Sequence, residues 1–586
     1  MGKDLWTAGE TAQTIVLWRK SKMKSKIFIL ALSLVLVAAF GFAEGGSEET
    51  EMGSDGMYGG TLTMAGTHSY NDPGSPAQVD AQVGALASWT ATVQEHLILG
   101  DHEKWGKMGN GEFPFEVSDY IPDKYVRGMM LSGWDVTPER AELYVREGVM
   151  WYADNVDWME TRELVAEDIA FDINAFWDNK AWGTRFDGVL TKHAYAKDKY
   201  TVVCEFETFN NQFLYYIGWE DRASYSPPEL EDNNPKIWTN QVGTGPYWIE
   251  SYTPGVSMNF AKNPIYWDTC VIDGETYQKP FIDKLIVPIL PDEATRLSAF
   301  RTGKLDWVTG PPASTWEDYD KVGPGVNMDA FNNGNGKTVW LNNKTGYFAD
   351  RDVRRALHVG TDPWPIAQLV KAEEIERRYW PQSSGNPDAF IPDNELAAST
   401  AVLFDYDPIL AKKMLADAGY PNGFKVEMLV SYEPPNPDVA AILQEQWKKI
   451  GIETTINIQE RAAFDRDAYA VEYDGIAIPA GFDAANPIAV LSSECQTDAY
   501  YNTSGYSSPE ADAAIVELLQ TNDPAKQFEL IRKASAIVLD DAMTVQLSAS
   551  AYRTYWWEWV ENYFGEFSLS DGNFTELTAW MWIDQD

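Results

Sequence analysis

Between residues 407 and 458 the sequence alternates helix and strand with its punctuation in place, and this run limits the fold more than any other feature. Asp407 is an N-cap and Pro408 suits the first helical position. Leu410, Met414, Leu415 and Ala418 make one apolar face, and Gly419 closes the helix. The chain turns at Pro421-Asn422-Gly423. Phe424 to Val430 then reads as a strand, Ala440 to Ile450 as a helix and Ile452 to Ile458 as a second strand. Strand–helix–strand runs of this length imply parallel pairing with right-handed crossovers, hence an α/β fold.

The first half repeats the pattern. Leu285 to Ile289 reads as a strand, Asp292 caps a helix carrying Leu297 and Phe300 up to Gly303, and Leu305 to Val308 resumes the strand. Ala141 to Glu147 alternates as a strand and stops at Gly148, and Ala166 to Phe176 carries Ile169, Ile173 and Phe176 at helical spacing. Ser508-Pro509 and Asp523-Pro524 each supply a cap and an N1 proline, and Thr544 to Tyr555 is extended.

With 586 residues, 45% of them hydrophobic, the chain has material for two or three lobes, because single cores stop growing near 250–300 residues. Its formal charge of −42 sets it against phosphate backbones, so nucleic acid is not an expected partner. Cys204, Cys270 and Cys495 form no CxxC pair, which argues against a disulfide framework or a structural zinc; Cys204 lies in an apolar strand and is expected to be buried. His68, His96, His102, His193 and His358 show no metal-binding spacing. Gly336-Lys337-Thr338 lacks the first glycine of a phosphate-binding loop and is expected to be a polar loop, while Asp329 to Gly334 fails as a calcium loop because Phe331 and Trp340 fall on ligand positions. No GxSxG elbow is present. No cofactor, metal or catalytic residue is expected, and the silence favours a binder over an enzyme.

Ile27 to Phe40 is almost wholly apolar, preceded by Lys24 and Lys26 and followed by Gly41-Phe42-Ala43. Those are the three parts of an export signal, and the run is short of the ~20 residues a membrane span needs. The expected organisation is therefore a start placed too early over 1–22, a signal over 23–43 and a flexible acidic leader over 44–57. No cysteine lies near the cleavage site, so a soluble periplasmic product without a lipid anchor is expected.

Several segments together resemble the extracellular solute-binding proteins of family 5, the oligopeptide and dipeptide binders of bacterial ABC importers. They are Gly59-Gly60-Thr61-Leu62, Trp134 to Pro138, Val242-Gly243-Thr244-Gly245-Pro246-Tyr247, Asn263-Pro264-Ile265-Tyr266-Trp267, Val353-Arg354-Arg355-Ala356, Ala418 to Pro421 and Ile450-Gly451-Ile452, in the family's order. The resemblance implies a periplasmic-binding-protein-like fold of two lobes around a hinge. Lobe I would span 58–325 with an extra subdomain inserted at about 86–215, lobe II would span 340–540, and 541–586 would return to lobe I. The chain would cross between lobes near Phe331–Thr338 and Met543–Tyr552.

The resemblance also implies a function. The protein would capture a solute, first a short peptide, between its lobes and deliver it to ABC permease subunits, working as a monomer. Peptide binders of the family hold the ligand ammonium on an Asp in a Trp-x-x-Asp…Pro segment. The corresponding stretch is Ala480 to Pro487, which places Phe482 and Asp483 at the ligand, although Ala480 stands where the family has Trp. A carboxylate in a dry cleft suits an ammonium. The alternative ligand is an oligosaccharide stacked on aromatic faces, for which Trp340 and Tyr58 are the candidates by position. The rival class is a secreted hydrolase using two of the many carboxylates.

Overall fold

The computed structural model describes residues 56–66, 91–116, 121–179, 186, 188–220, 223–369, 377–384, 386–479, 482–483, 486–499, 501–571 and 574–584. The export-signal and early-start readings, nearly all of the leader and His68 lie outside these residues. Among the described residues no helix is long and apolar enough to cross a membrane.

The elements that place the site are these. The first part holds β1 (Thr61–Ala65), β2 (Leu131–Val136), β3 (Arg140–Val145), α1 (Ala166–Asp178), β4 (Tyr195–Asp198), β5 (Thr201–Glu205) and α2 (Phe213–Gly218). Next come β6 (Tyr247–Thr253), β7 (Ser257–Lys262), β8 (Lys284–Pro288), α3 (Glu293–Arg301), β9 (Trp307–Thr309) and the long β10 (Val326–Leu341). The rest are α4 (Arg351–Val359), α5 (Pro408–Asp417), β11 (Phe424–Ser431), α6 (Asn436–Ile450), β12 (Ile452–Gln459), β13 (Gly475–Ile478), β14 (Phe482–Asp483), α7 (Pro487–Val490), α8 (Pro509–Leu519), α9 (Pro524–Asp540) and β15 (Thr544–Trp557).

The capping signals work as read. The Asp407 carboxylate accepts from the N–H groups of Ile409 and Leu410, both at 2.9 Å, and Pro408 opens α5. Asp292 accepts from Thr295 N at 2.7 Å at the start of α3. Helix α6 turns Val439, Ala440, Leu443, Trp447 and Ile450 inward and ends at Gly451, whose φ of 99° only glycine takes without strain. That close reversal brings Gly451 against Gly423, where an added Cβ would meet the Gly451 carbonyl at 1.7 Å.

Eleven strands join in one sheet, ordered β6-β7-β8-β1-β9-β15-β10-β13-β11-β12 with β14 paired to β10. In its first half β1 lies between β8 and β9, parallel to both, with Thr61 opposite Lys284 and Met64 opposite Trp307. The helix α3 makes the connection from β8 over β1 to β9. In its second half β11 runs parallel to β12 from Phe424↔Ile452 to Ser431↔Gln459, and parallel to β13 on its other side. A separate antiparallel sheet, β2-β3-β5-β4, holds Cys204 in β5 with none of its surface exposed.

Two sets of apolar residues fill the two halves. One gathers Leu62 and Met64 of β1, Leu143, Ile169, Phe213, Trp307 and the C-terminal Leu569 and Trp580. The other gathers Val339, Leu357, Leu415, Met428, Leu443, Trp447 and Val545. These are lobes I and II. β10 and β15 run antiparallel through both, from Val326↔Trp557 to Trp340↔Thr544, with register shifts between Asn332 and Gly336 and between Lys337 and Thr338.

This pairing corrects one expectation. Gly336-Lys337-Thr338 is the interior of β10, paired with Ala549, Ser548 and Gln546, rather than a polar loop. Lys337 and Thr338 are buried. Asn and Gly in this stretch signal a turn locally, but two partner strands, β15 and β14, take up its backbone from far along the chain.

Candidate functional site at the strand crossover

The register shows which way each lobe faces. β15 passes from lobe II to lobe I, and β9 pairs antiparallel with it up to Thr309↔Thr554, so the carboxyl end of β9 points at the crossover. β13 pairs antiparallel with β10 through Trp340↔Ala477, and β14 continues past it with Gly336↔Phe482 and Asn335↔Asp483. The carboxyl ends of β13, and of β11 beside it, therefore point at the same crossover. In α/β sheets ligands bind outside the carboxyl ends of parallel strands. Here two such edges meet across one bulged strand pair.

The groups at that junction are polar and well covered. Lys337 Nζ donates to Asn436 Oδ1 at 3.0 Å at the start of α6. Burial pushes the Lys337 ammonium down to about 8, partly opposed by Glu433 and reinforced by Arg461. The Ser431 hydroxyl at the end of β11 donates to Glu433. Gly336 lies flat against the Tyr379 ring, where a Cβ would fall 2.3 Å from the ring carbon bearing the hydroxyl. The adjacent Gln382 donates to the Pro487 carbonyl at 3.1 Å. On the lobe I side the Tyr552 hydroxyl faces Thr309, and burial raises its pKa.

The sequence-predicted residues are spread over the fold. Phe482 and Asp483 form β14 and sit by backbone register on the crossover. Trp340 is on the same strand, β10, but its side chain packs in lobe II with Leu429, Phe464, Ala468, Tyr473 and Ala477. Tyr58 precedes β1, at the opposite end of that strand from its carboxyl edge. Its hydroxyl is held at 3.0 Å by both the N–H and the carbonyl of Gln278, and its ring lies 5.1 Å from Phe281. The structure thus brings Phe482 and Asp483 to the junction and places Tyr58 elsewhere. Sequence reading missed Lys337, Asn436 and Tyr379. The β-branched and aromatic run Thr338-Val339-Trp340-Leu341 was the available signal that a strand ran back into the Gly-Lys-Thr stretch.

A second contact joins the lobes beside the crossover. Asn211, just before α2, donates through Nδ2 to the carbonyls of Leu518 at 2.8 Å and Thr521 at 3.2 Å, and through its N–H to Leu519 at 2.9 Å. These carbonyls close the C-terminus of α8, where a helix leaves acceptors unsatisfied. Asn486 Nδ2, at the N-cap of α7, donates to Gln212 Oε1 at 3.3 Å. Asn211→Ala removes two of these bonds, at about 1 kcal/mol each. The expected outcome is a larger radius of gyration for the unliganded protein in small-angle scattering; an unchanged radius would show that the contact does not hold the lobes together. A separate concavity of about 540 Å³ lies in lobe II between Arg351, Thr400, Ser508 and Asp540, away from the crossover.

Comparison with known proteins agrees with this architecture. The family model described as bacterial extracellular solute-binding proteins, family 5 Middle, matches residues 130–502. Heme-binding protein A of Haemophilus influenzae is 24% identical over 450 residues, covering 72% of this chain and 78% of that protein. The dipeptide-binding protein of Escherichia coli is 24% identical over 470 residues, covering 75% and 82%. Among solved structures, the ABC transporter-associated periplasmic binding protein DppA from Helicobacter pylori, in complex with peptide STSA, superposes with a TM-score of 0.71 at 22% identity, covering 90% of this chain and 99% of that one.

Proposed function

The chain belongs to the bacterial extracellular solute-binding proteins, family 5, and from that premise we propose that it captures a short peptide between lobes I and II and hands it to an ABC permease in the membrane. The observation that carries the reading is the meeting of both parallel-strand carboxyl edges on the β10–β15 crossover, with β14 paired there. Relatives named for dipeptide binding, and a fold neighbour holding a tetrapeptide, support a peptide as the solute. In this reading lobe I takes 58–325 with the subdomain of β2 to β5 inserted at about 86–215, lobe II takes 340–540, and 541–586 returns to lobe I. Asp483 receives the peptide ammonium, with Phe482 beside it. The protein acts as a monomeric binder in the periplasm; the chemistry of transport belongs to its partners.

A thermal-shift panel tests the reading with di- to pentapeptides, their N-acetylated forms and oligosaccharides. A ligand at 100 times its dissociation constant adds about 2.7 kcal/mol. Stabilisation by free peptides, weakened at least tenfold in affinity by N-acetylation and by Asp483→Asn, is the expected result. Stabilisation by oligosaccharides alone would overturn the peptide assignment. Unchanged peptide affinity in Asp483→Asn would remove that residue from the site.

A further inference from the structure

Three side-chain amides, of Asn211, Gln212 and Asn486, meet in the contact beside the crossover, and their surroundings fix which way each one points. Asn486 Oδ1 accepts from the N–H groups of Ile488 at 3.1 Å and Ala489 at 3.0 Å, so its Nδ2 is turned toward Gln212 Oε1. Gln212 Nε2 then faces Asn211 Oδ1, at 3.4 Å. Asn211 Nδ2 in turn points at the Leu518 and Thr521 carbonyls. Every link donates in the same direction, from α7 toward α8. The N–H groups at the start of one helix and the carbonyls at the end of the other require that sense. Gln212 and Asn486 are 7% and 4% exposed, so little water competes for these bonds. The relay spans two separate cores. Phe209 and Phe213, on either side of the Asn211-Gln212 pair, are buried in lobe I, with ring centroids 5.7 and 5.0 Å from that of Phe206. Asn210 Oδ1 braces the stretch by accepting from Gln212 N at 2.9 Å. On the other side Ile488, Leu491 and Leu518 share one apolar cluster, which holds α7 and α8 as one piece of lobe II.

We propose that Asn211, Gln212 and Asn486 are positioning residues for solute capture: their amide relay is a latch, made only when the lobes are together, that sets affinity through the fraction of closed protein. Opening the lobes breaks the relay at both of its crossings, Asn211 to α8 and Asn486 to Gln212. A solute that needs the closed form binds with an apparent dissociation constant equal to its intrinsic value divided by the closed fraction. Weakening the latch therefore weakens every solute by one common factor, whatever its chemistry. The effect falls on release more than on encounter, because the solute enters the open form. Asn486 lies three residues beyond Asp483 of β14. A solute seated at that segment steadies the last link, so occupancy and closure support one another. This inference rests on capture between the lobes and is independent of whether the solute is a peptide.

The test has a ligand-free arm and a binding arm. Asn211→Asp keeps the size of the side chain and sets a carboxylate against the α8 carbonyls, where negative charge is disfavoured. Asn486→Ser keeps an N-cap for α7 and is too short to reach Gln212. In small-angle scattering without ligand both variants are expected to have a larger radius of gyration than wild type. The double variant should be no larger than Asn211→Asp, since both changes break one chain of bonds. The binding arm titrates trialanine, pentaalanine and maltotriose. Each of these that binds wild type should bind Asn211→Asp about tenfold more weakly, by the same factor and through faster dissociation. An unchanged radius in both variants would overturn the latch, even if their thermal stability falls, and so would affinity losses that differ between probes. Maltotriose binding alone, with the radius increased, would overturn the peptide reading and leave the latch standing. If no probe binds, the radius decides.

Discussion

Asp268→Ala is expected to destabilise lobe I by about 3 kcal/mol, because it takes the near carboxylate from the buried Lys279 and the half-buried Arg127 and leaves them only Glu103, 3.8 and 3.9 Å away. Asp268 follows directly on the Tyr266-Trp267 pair. Its Oδ2 lies 2.6 Å from Lys279 Nζ and 2.5 Å from Arg127 Nη2, and its Oδ1 accepts from Thr269 N. The Lys279 side chain has no exposed surface and its ammonium lies 3.3 Å from the Trp580 ring centroid. Burial alone would raise the Asp268 pKa; Lys279 and Arg127 outweigh it and hold the carboxyl below its usual value. For Lys279 the balance goes the other way. Burial, with Arg127 nearby, brings it to about 8 despite Asp268 and the more distant Glu103, 3.8 Å away. Guanidinium-chloride unfolding measures the cost. The double variant Asp268→Leu/Lys279→Met should recover much of it, because it removes both buried charges together. A loss below about 1 kcal/mol in the single variant would show that water reaches this cluster.

Glu95→Gln is expected to change the pH dependence of stability with the opposite sign to ordinary carboxylates. Glu95 is buried, and its two oxygens accept from Tyr266 Oη at 2.8 Å and Trp267 Nε1 at 3.0 Å. Burial raises its pKa from 4.5 to about 7; the hydrogen bonds from Trp267, Tyr266 and Thr244 pull it down, and Asp268 adds to the rise. The folded state therefore holds this proton more tightly than the unfolded chain. Its contribution is fully present below pH 4.5 and is lost as pH rises through 7. The loss amounts to about 3 kcal/mol. Gln mimics the protonated acid, so wild type should lose that much relative to Glu95→Gln between pH 4.5 and 8 in denaturant unfolding. Parallel stability curves would show that Glu95 stays ionised.

Both predictions concern residues beside segments that carried the family resemblance, and the structure supplies a physical reason for those segments. In Val242 to Tyr247 the two glycines let the backbone approach Val93 closely. A Cβ on Gly243 would lie 1.8 Å from the Val93 carbonyl, and Gly245 N donates to that same oxygen at 2.8 Å. In Asn263 to Trp267, Asn263 Nδ2 donates to the Gly245 carbonyl at 2.8 Å, and Tyr266 and Trp267 clasp Glu95. The signature was legible as a pattern of residue types. Its purpose was not, because Glu95 lies 171 residues from Tyr266, Val93 is similarly remote from the two glycines, and nothing local links them.

The same division runs through the molecule. Helices α3, α5, α6, α8 and α9, and the parallel strands β11 and β12, follow from the sequence alone, since caps, N1 prolines, apolar spacing and closing glycines act within a few residues. The α/β class follows from their alternation, while the two-lobed plan was implied by the family resemblance. What the tertiary structure alone decided is the crossover. Gly336-Lys337-Thr338 has local signals for a loop and becomes strand because β15 pairs along it and β14 pairs with Gly336, and Lys337 becomes a buried cation because α6 starts and β11 ends beside it. Turn chemistry is a short-range preference, and pairing with strands from far along the chain outweighs it.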